Sequence, residues 1–327
     1  MKNFKCPNCR ATLFFENTKC ENCGNTIGFD LSQEEFVIPH AQNNFKFCKN
    51  HRLSVCNWVV DFSTGSQFCV ACELNGKVPN SADEVNFKKW QKLEIAKHRL
   101  VYQLSKLGLP LISKIKSYKG IVFDFLSPNN ADNKLTGHAD GVITILLSEA
   151  DSVHREQLKK EMDEPYRTLL GHFRHEIGHY YWPLLFEFHH LQDFRNLFGD
   201  ESQDYNASLK RYYNNGAPSH WNLNFISKYA SSHPWEDWAE TWAHYLHIMD
   251  TLETANSFGL SFSDALIPNQ PYGISDFKEI FDASVALTCA ANSLNRSMGL
   301  QDIYPFVVPN PVYKKLEFIH SVLLAKN

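Results

Sequence analysis

HEIGH, at 175–179, puts two histidines at i and i+4 with a glutamate beside the first. On a helix, His175 and His179 share a face and can both reach one cation, with Glu176 next to it. That set suits metal-assisted hydrolysis. Zinc held by three protein groups keeps a fourth position for water and lowers the pKa of that water toward neutrality. Glu176 then acts as general base: it takes a proton from the zinc-bound water as that nucleophile attacks a peptide carbonyl, and returns it to the leaving amine. The pattern also arises by chance, so the chain must supply a third ligand and a group that stabilises the oxyanion.

Glycine three residues after the second histidine, and histidine three further on, would extend the motif in metzincin fashion. Trp182 and Leu185 occupy those positions, which excludes that class. The alternative lies in YASSHPWEDWAETWAHYLHI, 229–248. Pro234 suits the first turn of a helix, on which Glu236 and Glu240 lie one turn apart on one face. Glu236 reaches zinc as the third ligand, the gluzincin solution, while Glu240 holds the outer N–H of a ligating imidazole. Trp235, Trp238, Ala239, Trp242 and Ala243 make this helix too apolar for a solvated strut. His233 is the main rival to Glu236, and Asp237 a weaker one.

Eight of the nine cysteines precede residue 73. Cys6-Pro-Asn-Cys9 and Cys20-Glu-Asn-Cys23 are two CxxC knuckles, whose four thiolates complete a tetrahedral structural zinc shell. Gly24 suits the tight backbone after the second knuckle, and Phe14 and Phe15 are candidates for a small core. Cys48, Cys56, Cys69 and Cys72 form a second structural set, with His51 as a competing ligand. Both shells are closed, so neither is catalytic. Cys289 reads as a small buried residue.

Net charge is −4, and the lysines of the head are scattered, so nothing favours nucleic acid as a partner. No apolar run approaches membrane-spanning length, and the start, MKNFKCPNCR, lacks the apolar stretch of a secretory signal. Clustered cysteines without such a signal read as metal ligands, and a cytoplasmic location is expected.

These residues need elements to position them. The spacing predicts an amphipathic helix over 87–108, short strands at 121–126 and 141–147, and mostly helix from 152 onward. The linker 73–86 leads into this body. The helix bearing HEIGH is bounded by Pro165, behind Asp163 and Glu164, and by Pro183, which cannot continue it. Tyr229 ends a further helix over 221–230. The expected organisation is a zinc ribbon at 1–30, a second cysteine-rich module at 31–80 and a body at 85–327. The expected fold class is α+β: a zincin-like body of small sheet plus helical lower lobe, under a zinc-ribbon head. GVITILL is a candidate edge strand for pairing with an extended substrate.

GHFRHEIGHYYW and SSHPWEDWAETWAHYLHIMDTLETA, with FENTKCENCG, CNWVV and YRTLLGH, resemble the zinc-binding metallopeptidase family that carries a zinc-ribbon-like N-terminus. The resemblance covers nearly the whole chain, and the family's name records an inferred activity. The order Tyr229, Glu236, Glu240 is also similar to the tyrosine–glutamate–glutamate spacing of the anthrax lethal factor peptidase. That similarity implies Glu236 as zinc ligand and Tyr229 as the donor facing the reacting carbonyl. Together these readings give one catalytic and two structural zinc ions, a peptide or protein substrate, and a head able to bind a protein partner. The alternative is a non-cleaving zinc-ribbon adaptor, with or without nucleic acid; the intact Glu176 argues against it.

Overall fold

The computed structural model describes residues 2–40, 43–127, 136–153, 155, 168–186, 190–262, 266–304 and 307–325. The chain divides into two compact units, Met1–Asp151 with Ser257–Gly259, and Ser152–Asn256 with Leu260–Asn327. It is a mixed α/β protein with small sheets and helices. Among the described residues no helix is long and apolar enough to cross a membrane.

The first unit begins with three two-stranded antiparallel pairs: β1 (Phe4–Lys5) with β2 (Thr12–Leu13), β3 (Gly28–Asp30) with β4 (Glu35–Val37), and β5 (Phe45–Phe47) with β6 (Val59–Asp61). Strands this short cannot carry a core by themselves. They share an aromatic one. Phe15 meets Phe29 edge-on at 5.0 Å, and Phe29 meets Phe4 at 5.3 Å and Trp58 at 5.5 Å. Phe14, expected in that core, is 57% exposed: β2 ends at Leu13, and in the turn that follows only Phe15 is buried.

A short helix α1 (Val70–Glu73) precedes the long helix α2 (Glu84–Lys106), which Asp83 caps through the Asn86 N–H. Tyr102 of α2 enters the aromatic core of the cysteine-rich segment, 5.4 Å from Phe15. The mixed sheet orders β7 (Val122–Leu126), β9 (Val142–Leu146) and β8 (Gly137–Ala139), with β9 parallel to β7 and antiparallel to β8. GVITILL is therefore the interior strand rather than an edge. The outer side of β7 is taken by the expected linker: Phe123 donates to the Leu74 carbonyl and Phe125 to that of Lys77. A buried backbone edge requires such partners.

The second unit is helical: α3 (Leu169–Phe186), α4 (Leu191–Phe198), α5 (Tyr205–Asn215), α6 (Pro234–Ser257), α7 (Phe277–Ser297) and α8 (Asn310–Leu324). The expected start of α3 at Pro165, with Asp163, Glu164 and Tyr166, lies outside the described residues, as do Phe188 and His189. Its expected end is corrected. Pro183 sits inside α3, which runs on to Phe186. A helix-interior proline costs roughly 3 kcal/mol. Burial of Leu185 and Phe186 offsets it, with Phe186 packed 4.9 Å from Trp238 and 5.2 Å from Phe194.

The helix expected over 221–230 is also corrected, to 3-10 turns at Trp221–Leu223 and Tyr229–Ser232. Local polar groups compete with helical bonds there. The Ser227 hydroxyl accepts from the Ala230 N–H, Ser231 donates to the Lys228 carbonyl, and the Asn224 carbonyl goes to the Lys315 ammonium. Cys289 is partly rather than fully buried on α7.

Candidate metal centre

Helical spacing stacks His175 and His179 on α3, with Nε2 atoms 3.1 Å apart. Pro234 opens α6, and in the same first turn Glu236 brings Oε2 to 3.1 Å from His175 Nε2 and 3.5 Å from His179 Nε2. Around an ion with ligand bonds of about 2.0–2.2 Å, tetrahedral donor atoms lie roughly 3.3–3.6 Å apart. The three donor atoms are close to that spacing. Glu240, the next turn of α6, accepts from His175 Nδ1 at 2.7 Å. With its proton on Nδ1, His175 turns a lone pair on Nε2 toward the centre.

The chemistry of this donor set tests its fit to a cation. Glu236 is 1% exposed, and among the described residues its Oε2 faces only the imidazoles of His175 and His179. Burial opposes ionisation of Glu236, yet the two imidazoles hold its carboxyl well below the usual range. Burial likewise opposes protonating His175, yet Glu236 and Glu240 raise its pKa well above normal. Burial would raise Glu240 as well, but the hydrogen bond from His175 brings it down to about 2. Such a cluster of lone pairs around one buried point calls for a positive charge. A divalent ion supplies it without a proton.

The rival third ligands are engaged elsewhere. His233 accepts the Trp235 N–H at Nδ1 and reaches the Gln203 carbonyl with Nε2, both at 3.1 Å. Asp237 is buried against the Lys315 ammonium at 2.6 Å. Glu176 is buried beside the His pair, and His172 Nε2 stands 3.3 Å from its Oε1. Tyr229 packs its ring 6.1 Å from His175, at the start of a 3-10 turn. Its phenol is pushed far above the ordinary range, first by burial and then by the Glu236 charge, so it stays a donor.

The helical period puts His172 on the same face as His175, Glu176 and His179, and the structure gives it the Glu176 carboxylate as partner. One neighbour escaped the sequence reading. Tyr205 lies 31 residues before Glu236, and its hydroxyl donates to Glu236 Oε1 at 2.5 Å. Nothing local signals that contact. Further along, Arg174 binds Asp250 at 2.6 Å and tethers α3 to α6 beside the motif. His247 stacks on Tyr304 at 4.1 Å.

In the first unit, the Sγ atoms of Cys6, Cys9, Cys20 and Cys23 lie within 4.8 Å of one another, as do those of Cys48, Cys56, Cys69 and Cys72. Individual separations of 3.7 Å (Cys6–Cys23), 3.6 Å (Cys9–Cys20) and 3.6 Å (Cys56–Cys69) match the roughly 3.8 Å edge of a tetrahedron with metal–sulfur bonds of about 2.3 Å. The knuckles of the first set bend through left-handed backbone, Arg10 at φ 63° and Gly24 at φ 75°. In the second set main-chain N–H groups of Trp58 and Cys69 point at Cys56 and Cys48 sulfur, 3.3 and 3.4 Å away. His51, the competing ligand, instead stacks on Phe47 and places Nδ1 3.1 Å from the Cys56 carbonyl. A histidine the sequence reading passed over, His98 of α2, brings Nε2 to 3.2 Å from Cys56 sulfur.

Comparison with known proteins agrees with this chemistry. A zinc-ribbon domain family matches residues 3–83, and a family described as "putative zinc-binding metallo-peptidase" matches residues 86–322. Proteins from Mycobacterium tuberculosis and Mycobacterium bovis, both named only as uncharacterized, are each 43% identical over 326 residues, 99% of this chain and 95% of theirs. No solved structure matches. With most of its length matched, the chain belongs to the zinc-binding metallo-peptidase family, with a zinc-ribbon domain at its N-terminus.

Proposed function

We propose that this protein is a gluzincin-type zinc peptidase with a zincin-like body, acting on peptide or protein substrates in the cytoplasm. One zinc is held by His175, His179 and Glu236, and one by each four-cysteine set. The observation that carries the reading is the buried Glu236 Oε2 facing two imidazole nitrogens, with Glu240 fixing the tautomer of His175. Zinc bound there supplies Lewis acidity and an activated water.

The chain's own residues supply the rest. Burial alone would favour the neutral acid, but His172 beside it holds the Glu176 carboxyl below its ordinary range and able to accept a proton. The same carboxyl can return that proton to a leaving amine. Tyr229 presents a phenol to the oxygen on which negative charge develops.

Mass spectrometry of a proteome-derived peptide mixture tests this. The parent should generate new termini, chelation should abolish them, and zinc should restore them. Glu176→Gln, with zinc retained, should lose activity by orders of magnitude. Cleavage by Glu176→Gln at the parental rate would overturn the mechanism. No cleavage by zinc-loaded parent would favour the non-cleaving adaptor.

A further inference from the structure

Two tyrosines converge on Glu236 from separate elements, and their geometries differ. Tyr205 is the first residue of α5, whose start is fixed by the Asp204 carboxylate accepting the Ala207 N–H at 2.9 Å. Its ring is packed between His233 at 5.1 Å and Trp235 at 5.9 Å. The hydroxyl donates to Glu236 Oε1 at 2.5 Å, a charge-assisted bond of the strong class. Tyr229 comes from the 3-10 turn preceding α6, and its ring faces His175.

We infer that Tyr205 is the positioning residue that makes Glu236 a one-oxygen ligand. The inference rests on the metal reading proposed above. A carboxylate has two equivalent oxygens and can grip a cation through one or both. At 1% exposure Glu236 has little access to water, so a protein group must satisfy the oxygen that does not face the metal. Tyr205 does so on Oε1, and Oε2 alone remains toward His175 and His179. One-oxygen binding keeps a place open in the coordination sphere, which a hydrolytic site needs. The Tyr205 proton is thereby committed to the protein and is not offered to a substrate oxyanion.

The test uses the full-length protein and two readouts. The first is the affinity of the weakest zinc, measured by competition with a chelating indicator. The second is the visible absorption of cobalt(II) loaded into that site, which reports ligand number and geometry. Tyr205→Phe keeps the packed ring and removes only the hydroxyl. It should weaken zinc by about 10–100-fold, the usual cost of losing a group that orients a ligand, and alter the cobalt spectrum. The cysteine-bound zinc should be untouched. Tyr229→Phe should leave affinity and spectrum as in the parent while kcat falls. If Tyr205→Phe binds both metals as the parent does, or if Tyr229→Phe is the variant that loosens zinc, the assignment is overturned. His175→Ala separates the two levels. If it too leaves zinc unchanged, the metal site itself is wrong and this inference falls with it.

Discussion

The Trp238 indole N–H donates to the main-chain oxygen of Gly178 over 2.9 Å, joining α6 to α3 inside the HEIGH segment. Gly178 is also a point of close approach between the two helices. A Cβ added there would lie 3.1 Å from the Trp242 ring and 3.2 Å from Ala239 Cα. The glycine thus lets α6 approach near enough for Glu236 to meet both histidines.

Gly178→Ala puts two effects in opposition. Alanine gains about 1 kcal/mol of helix propensity over glycine, whereas overpacking a tight contact costs about 1–3 kcal/mol. A net stability loss of up to about 2 kcal/mol is expected. Zinc affinity should fall as well, because moving the helices apart by a few tenths of an ångström separates intact ligands. Unfolding and chelator competition would measure both. A variant that holds zinc as tightly as the parent would show that the close approach does not set the site.

Metal content separates the sites. Three donor sets lead us to expect about three zinc ions per chain by elemental analysis. His175→Ala should lose one and keep the cysteine-bound pair. Cys6→Ala should disrupt its ribbon, since metal binding supplies much of the folding free energy of such modules. One zinc or fewer in freshly purified, chelator-free parent would refute the three-site arrangement.

What the sequence made legible is local. The i, i+4 period suffices to put His175 and His179 on one face, and CxxC spacing suffices to converge thiolates. Pro234 marks the start of α6, which runs Pro234–Ser257. The misses are tertiary. Pro183 is a helix breaker by its own chemistry, and only the Phe186–Trp238 contact shows why α3 continues past it. Tyr205 and His98 reach their partners across 31 and 42 residues, where no periodicity extends. Lys315 is a similar case, 78 residues from Asp237.

Lys315 provides a stability test apart from catalysis. Its ammonium is buried with the Asp237 carboxylate and also donates to the Asn224 carbonyl at 2.8 Å, pinning α8 to α6 behind Glu236. Lys315→Met strands a buried carboxylate and should cost about 3–5 kcal/mol. Adding Asp237→Leu should recover most of that, because it removes the unpaired charge. Thermal or denaturant unfolding of the two variants decides. Equal destabilisation of single and double variants would mean that the loss comes from packing rather than from the stranded charge.

The role proposed for Tyr229 can be tested on the reaction itself. As a peptide carbonyl becomes tetrahedral, its oxygen gains negative charge, and a hydrogen bond aimed there strengthens as the charge grows. Burial and the nearby Glu236 charge keep this phenol protonated well beyond physiological pH, so it remains a donor throughout. Tyr229→Phe keeps the ring against His175 and against Tyr212, 5.8 Å away, so fold and zinc content should hardly change. Loss of one oxyanion donor typically lowers kcat by about 10²–10³, with KM little altered. Steady-state kinetics on a peptide that the parent cleaves would measure the split. A rise in KM at unchanged kcat would make Tyr229 a substrate-binding residue, and full activity would make it a packing residue alone.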